Sequence, residues 1–208
     1  MKMDEIVLSY HDSLLRKSDL SLLEAGNWLN DKLIGFMFEY YQNEIFAENA
    51  EKVSFLDPDF VQLIKLLPDT DIEGLISPLN LGTKRLIFLP INNNPDPEAG
   101  GSHWSLLVLD QDLNIFEHYD SYGDTNYLVA VEVASKFSSI LKSQVKKVPT
   151  PQQCNGSDCG VYVIKIALLI GQSKLRSSPW KPDQLTYDII SRERENMKEL
   201  ILSKAGSS

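Results

Sequence analysis

The segment Gln153-Cys154-Asn155-Gly156-Ser157-Asp158-Cys159-Gly160 constrains this chain more than any other. There a turn of small and polar residues runs straight into the apolar stretch Val161 to Ile170. An apolar run of that length reads as a buried helix, with Cys159 in its first turn. A thiol at a helix N-terminus feels the positive end of the macrodipole, which favours the nucleophilic thiolate. A cysteine nucleophile also needs a base and a group that orients the base. His103 follows a glycine pair at the start of one apolar run, and Asp120 closes the next. These two are the candidates, and Gln153 is placed to donate to an oxyanion. The pattern points to hydrolysis through a cysteine.

Competing residues are few. Cys154 can be a plain turn residue, a resolving thiol that forms a reversible disulfide with Cys159, or the nucleophile itself. Cys159 is preferred because a helix follows it at once. His118 lies two residues before Asp120 on the same strand face and is the runner-up base, with packing as its simpler role.

Composition narrows the class. The 208 residues are 43% hydrophobic and 24% charged, the make-up of an ordinary globule. A net charge of -9 argues against a nucleic-acid binder and suits a partner with a basic face, although it serves solubility equally well. Two cysteines make no disulfide framework, so a reducing cytoplasm or nucleus is expected. No apolar run reaches membrane-spanning length, and the charged first twenty residues hold no signal-peptide core. The three histidines and two cysteines lack zinc-site spacing, so no metal is expected.

Helical patterning is expected from Leu14 to Phe46, with a capping box at Ser21-Leu22-Leu23-Glu24 and a helix from Asp31 through Tyr41 capped by Asn30. Asp57-Pro58 opens a helix through Leu66, and a short one is expected around Asp71 to Ile76. Strands are expected at Arg85 to Ile91, His103 to Leu109 and Asn114 to Tyr119, with another at Val145 to Val148. The polar loop Asn92 to Gly101, directly before His103, is expected to be mobile and suits a substrate lid. Helices are further expected over Tyr127 to Leu141 and Asp183 to Ala205. Helices, then strands, then helices make an α+β domain.

At these residues the chain resembles the Ulp/sentrin-specific cysteine proteases. The pattern is His103-Trp104, then Asp120-Ser121, then Gln-x-Asn-x-x-Asp-Cys-Gly ending at Gly160, together with Trp28-Leu29-Asn30-Asp31. Val7-Leu8-Ser9-Tyr10, Ala99-Gly100-Gly101 and His118-Tyr119-Asp120-Ser121 are similar to the small deneddylase branch, which acts on a NEDD-type modifier. The resemblance implies a papain-like fold of the Ulp type, a central mixed sheet flanked by helices, as one domain over 1–208 with its catalytic motifs within 28–160. It implies Cys159 as nucleophile, His103 as base and acid, Asp120 as its orienter and Gln153 as oxyanion donor. It also implies that Trp28, Trp104 and Asp31 hold the modifier's diglycine tail. Cleavage after that Gly-Gly would process precursors and release conjugates, cullin-like targets among them, with no cofactor, acting as a monomer. SUMO proteases and deubiquitinases would share these residues. An acetyltransferase of the same clan and a catalytically silent modifier-binding module are the readings from other classes.

Overall fold

The computed structural model describes residues 4–137, 144–176 and 179–206. It opens with a hairpin, β1 (Ile6–Tyr10) and β2 (Ser13–Arg16), where helix was expected from Leu14. The reason is tertiary. The backbone N–H groups of Asp12 and Ser13 at the hairpin turn donate to the Glu39 carboxylate at 2.9 and 3.1 Å, and Leu8 pairs with Leu15 over the core. A five-residue helix α1 (Lys17–Ser21) follows. Ser21 ends it rather than opening a new one, because its hydroxyl donates back to the Ser18 carbonyl at 2.6 Å.

Helix α2 (Asp31–Tyr40) starts where Asn30 accepts from the Leu33 N–H at 3.1 Å, satisfying one of the unpaired first-turn donors. It continues as a π turn over Tyr41–Ile45. The three-residue strand β3 (Val53–Phe55), too short to announce itself, precedes α3 (Pro58–Leu66) and α4 (Asp69–Ile76). Asp57 caps α3 through the Asp59 N–H at 2.8 Å, with Pro58 at the first position, where its missing N–H costs nothing.

The sheet strands are β4 (Leu86–Asn92), β5 (Trp104–Asp110) and β6 (Ile115–Tyr119), then α5 (Tyr127–Lys136) and β7 (Val145–Val148). Ile140 and Leu141, expected to extend α5, lie outside the described residues. Helix α6 (Cys159–Arg176) follows, and α7 (Tyr187–Ala205) begins at the Thr186 cap, four residues later than expected.

Five strands in the order β3-β4-β5-β6-β7 form a mixed sheet, parallel at both edges and antiparallel in the middle. Successive side chains point to opposite faces. Phe88, Leu106 and Val108 therefore pack with α2, α6 and α7, while Ile87, Leu89 and Leu107 pack with α3, α4 and α5. Both faces are buried, so the central strands read as unbroken apolar runs. Among the described residues no helix is long and apolar enough to cross a membrane.

Candidate active site

The register of the central hairpin brings two candidate residues together. Strands β5 and β6 turn at Asp110 and Ile115, so their other ends meet, with Leu106 opposite Tyr119. His103 directly precedes β5 and Asp120 directly follows β6, which puts both side chains at one end of the sheet. His103 Nε2 lies 2.6 Å from Asp120 Oδ1, and both side chains are almost fully buried. The Cys159 side chain interacts with the same ring, and with Nε2 committed to Asp120, Nδ1 is the nitrogen left for the sulfur. Cys159 reaches this place because α6 packs along β5 with its N-terminus at the same sheet end.

The electrostatics follow from this geometry. Burial alone would lower the His103 pKa, but its hydrogen bonds and charge interactions with Asp120 and Cys159 raise it to about 9. Burial works to raise the Asp120 carboxyl. Its bonds from His103 and from the N–H groups of Asn126 and Tyr122, at 3.0 and 2.9 Å, prevail and hold it below its usual range. Both cysteines are free thiols, with Cys154 exposed and Cys159 buried. His118 faces elsewhere. Its Nε2 lies 2.9 Å from Ser105 Oγ, and burial lowers its pKa to about 4, so it is a neutral packing residue in the sheet.

The turn before Cys159 is organised by Asn155. Its Oδ1 accepts from the N–H groups of Ser157 and Asp158 at 2.9 and 3.0 Å, and its Nδ2 donates to Asp158 Oδ2 at 2.7 Å. At Gly160, which follows, there is little room for a side chain: an added Cβ would stand 3.0 Å from Leu29 Cβ. Gln153 donates from Nε2 to the Asn155 carbonyl at 2.7 Å and accepts from Ser121 Oγ at 2.8 Å, which fixes its amide plane.

A groove of about 400 Å³ opens beside the thiol. Trp28, Asp31, Trp104 and residues of the 92–102 loop line it, and His103 and Cys159 are in its wall. Both indoles are pinned through Nε1, Trp28 to the Gly156 carbonyl at 2.7 Å and Trp104 to the Leu29 carbonyl at 3.1 Å. Asp31 sits in the first turn of α2. Burial and a hydrogen bond with Asp59 raise its pKa, while Lys32, 3.2 Å from Asp31 and 2.7 Å from Asp59, works the other way.

The loop before His103 is not the free connection its composition suggests. Lys65 Nζ, on α3, donates to the carbonyls of Asn92 and Asn94 at 2.7 and 2.6 Å, and Gln62 holds those of Asn94 and Asp96. Gly101 adopts a left-handed φ of 82°, and a Cβ there would collide with the Asn92 side chain. Nothing in the local sequence shows that a lysine on a preceding helix will reach this loop.

Two further residues escaped the sequence patterns. Buried Asn126 donates from Nδ2 to the carbonyls of Ile91 and His103, both at 3.2 Å, so it ties the ends of β4 and β5 to the start of α5. Arg194 on α7 is 6% exposed and binds Asp158 Oδ1 through Nε and Nη2 at 3.0 and 2.8 Å. It also donates to the carbonyls of Leu22 and Asn27, at 2.9 and 2.8 Å, in the turn leading to Trp28. One signal was present: Arg194 lies on the stripe of Ile190, Met197 and Ile201, a charge among the helix's buried positions.

A buried thiol, imidazole and carboxylate in series at a helix N-terminus, open to a groove, define a cysteine protease site of the papain type. The description "Ulp1 protease family, C-terminal catalytic domain" matches residues 27–202, and the chain belongs to this family of cysteine proteases. It is 45% identical over 206 residues to sentrin-specific protease 8 of Mus musculus, covering 96% of this chain and 93% of that one. To NEDD8-specific protease 1 of Arabidopsis thaliana it is 34% identical over 213 residues, covering 95% and 93%. Its fold matches the C-terminal Ulp1 protease domain solved in complex with Smt3, the yeast ortholog of SUMO. The TM-score is 0.76 at 20% identity, over 99% of this chain and 90% of that one.

Proposed function

We propose that this chain cleaves after the C-terminal Gly-Gly of a NEDD-type ubiquitin-like modifier, both maturing the precursor and releasing the modifier from conjugates. The observation that carries the proposal is the Cys159–His103–Asp120 series opening into a groove flanked by two pinned indoles. The names of the relatives from Mus musculus and Arabidopsis thaliana support the choice of modifier.

In this reading Cys159 passes its proton to His103 Nδ1 and attacks the carbonyl carbon of the terminal glycine. Asp120 keeps the imidazole in place and stabilises its charge. The oxyanion takes an N–H from Gln153 Nε2, whose other N–H is spent on Asn155, and the backbone N–H of Cys159, one of the unpaired donors of a helix's first turn. Collapse expels the amine, which leaves with the proton of His103, and the glycine remains as a thioester on Sγ. His103 then takes a proton from water, whose oxygen attacks the thioester and frees the modifier's carboxylate.

Trp28 and Trp104 select glycine because a chain threading between two fixed indoles has no space for a Cβ. Asp31 holds the tail's approach, and the fastened 92–101 loop, with acidic Asp96 and Glu98, walls the path of a tail that carries arginine. The protein acts as a monomer in the cytoplasm or nucleus, with no metal or organic cofactor. The test is hydrolysis of NEDD-type, SUMO and ubiquitin substrates carrying a C-terminal fluorophore. The proposal expects preference for the NEDD-type substrate by at least about tenfold, the scale that separates related substrates by contacts alone. Preference for SUMO or ubiquitin would keep the chemistry and replace the modifier. Tight binding without turnover would mean a binding module.

A further inference from the structure

The groove takes the modifier's tail, but the bond being cut has a second side. Sheet order places it. The groove's loop follows β4, on one flank of His103, whereas the turn 120–123 follows β6, on the other. That turn is fastened to the turn 152–153 in a rigid ledge. Gln153 N–H donates to the Ser121 carbonyl at 2.8 Å, and Ser121 Oγ donates to Gln153 Oε1 at 2.8 Å. Gly123 N–H donates to Gln152 Oε1 at 2.6 Å, and Gln152 Nε2 donates to the Asp120 carbonyl at 3.0 Å.

The ledge carries Tyr122, whose own N–H is held by Asp120 Oδ1. Its ring centroid stands 6.0 Å from that of His103, tilted by 56°, and the residue is 57% exposed. A large aromatic left open to water beside a catalytic imidazole, on a backbone held this firmly, is a prepared contact surface. Whatever lies there is attached to the nitrogen that His103 protonates.

We infer that Tyr122 is the subsite for the leaving group, and that it packs against the methylene stem of the lysine released from an isopeptide-linked conjugate. A lysine stem is long and apolar and ends in the departing amine, which is cationic once protonated, so a ring face suits both its parts. This inference rests on the functional reading above and adds the side of the substrate that reading leaves open.

The experiment compares two substrates built on one NEDD-type modifier. In the first its terminal carboxyl is joined to the Nε of a lysine in a short peptide; in the second it is a methyl ester, which has no stem to bind. The quantity read is the ratio of their kcat/KM values. Tyr122→Ala is expected to lower the ratio of lysine-linked to ester turnover about fivefold, the loss of one or two buried methylenes. Tyr122→Phe, which keeps the ring, is expected to leave it within about twofold. An unchanged ratio in Tyr122→Ala, with or without an equal loss on both substrates, overturns the inference. If wild type turns over neither substrate, the functional reading itself fails; wild-type turnover with an unchanged ratio removes the Tyr122 subsite alone.

Discussion

Arg194 on α7 and Asp158, the residue before Cys159, form a buried ion pair at 2.8 Å. The same guanidinium binds the carbonyls of Leu22 and Asn27, so one side chain joins α7, the turn before Trp28 and the turn before Cys159. Removing one partner of a buried pair strands the other's charge. Arg194→Met is therefore expected to cost about 3–5 kcal/mol of stability, read as a lower urea midpoint, with Arg194→Lys recovering part of it. A change under about 1 kcal/mol in Arg194→Met would show that the pair is not under load.

The His103–Asp120 pair sets the pH window. His103 gains its partners on folding, and its pKa rises from 6.5 to about 9. Its contribution is thus fully present below about pH 6.5 and is lost as pH rises through 9, a span worth about 3 kcal/mol. Asp120 is held below its usual range, so its contribution is present above about pH 4 and is lost as pH falls through the depressed value. Asp120→Asn is expected to flatten the alkaline loss of stability and to move the alkaline limb of kcat/KM to lower pH. Urea midpoints from pH 6 to 10 and a pH–rate profile check both. An alkaline limb that stays at the same pH in Asp120→Asn would contradict the pairing.

Gly160 is where α6 touches Leu29, with 3.0 Å available to a Cβ. Gly160→Ala is expected to push the first turn of α6 away from the groove, costing about 1–3 kcal/mol and lowering kcat/KM about tenfold. Equal stability and activity in the variant would mean that the contact relaxes without moving Cys159.

Much of this site was legible in the chain. Asn30, Asp57 and the apolar runs of the central strands announce themselves because caps and fully buried strands follow local rules. The hairpin at Ile6–Arg16 did not, since the partner of its turn, Glu39, lies on another helix. Arg194 reaches residues more than 160 positions away, which no local window contains. The 92–101 loop has a mobile composition, yet buried Lys65 fastens it from α3.

That fastening is itself testable. Lys65→Met keeps most of the side chain's volume but leaves the carbonyls of Asn92 and Asn94 without their donor. It is expected to cost about 1–3 kcal/mol and to raise KM more than it lowers kcat, because the loop walls the groove rather than doing chemistry. A loss confined to kcat would place the loop's role in catalysis instead.

In the proposed reaction Cys159 attacks the terminal glycine of a NEDD-type modifier, and the attack leaves a covalent bond to sulfur. This attack is tested most directly with modifiers whose terminal glycine carries an electrophile, mixed with the full chain and followed by mass spectrometry. One covalent adduct is expected with the NEDD-type probe, mapped to Cys159, absent in Cys159→Ala and much slower to form with SUMO and ubiquitin probes. An adduct on Cys154, or equal labelling by all three probes, would contradict it.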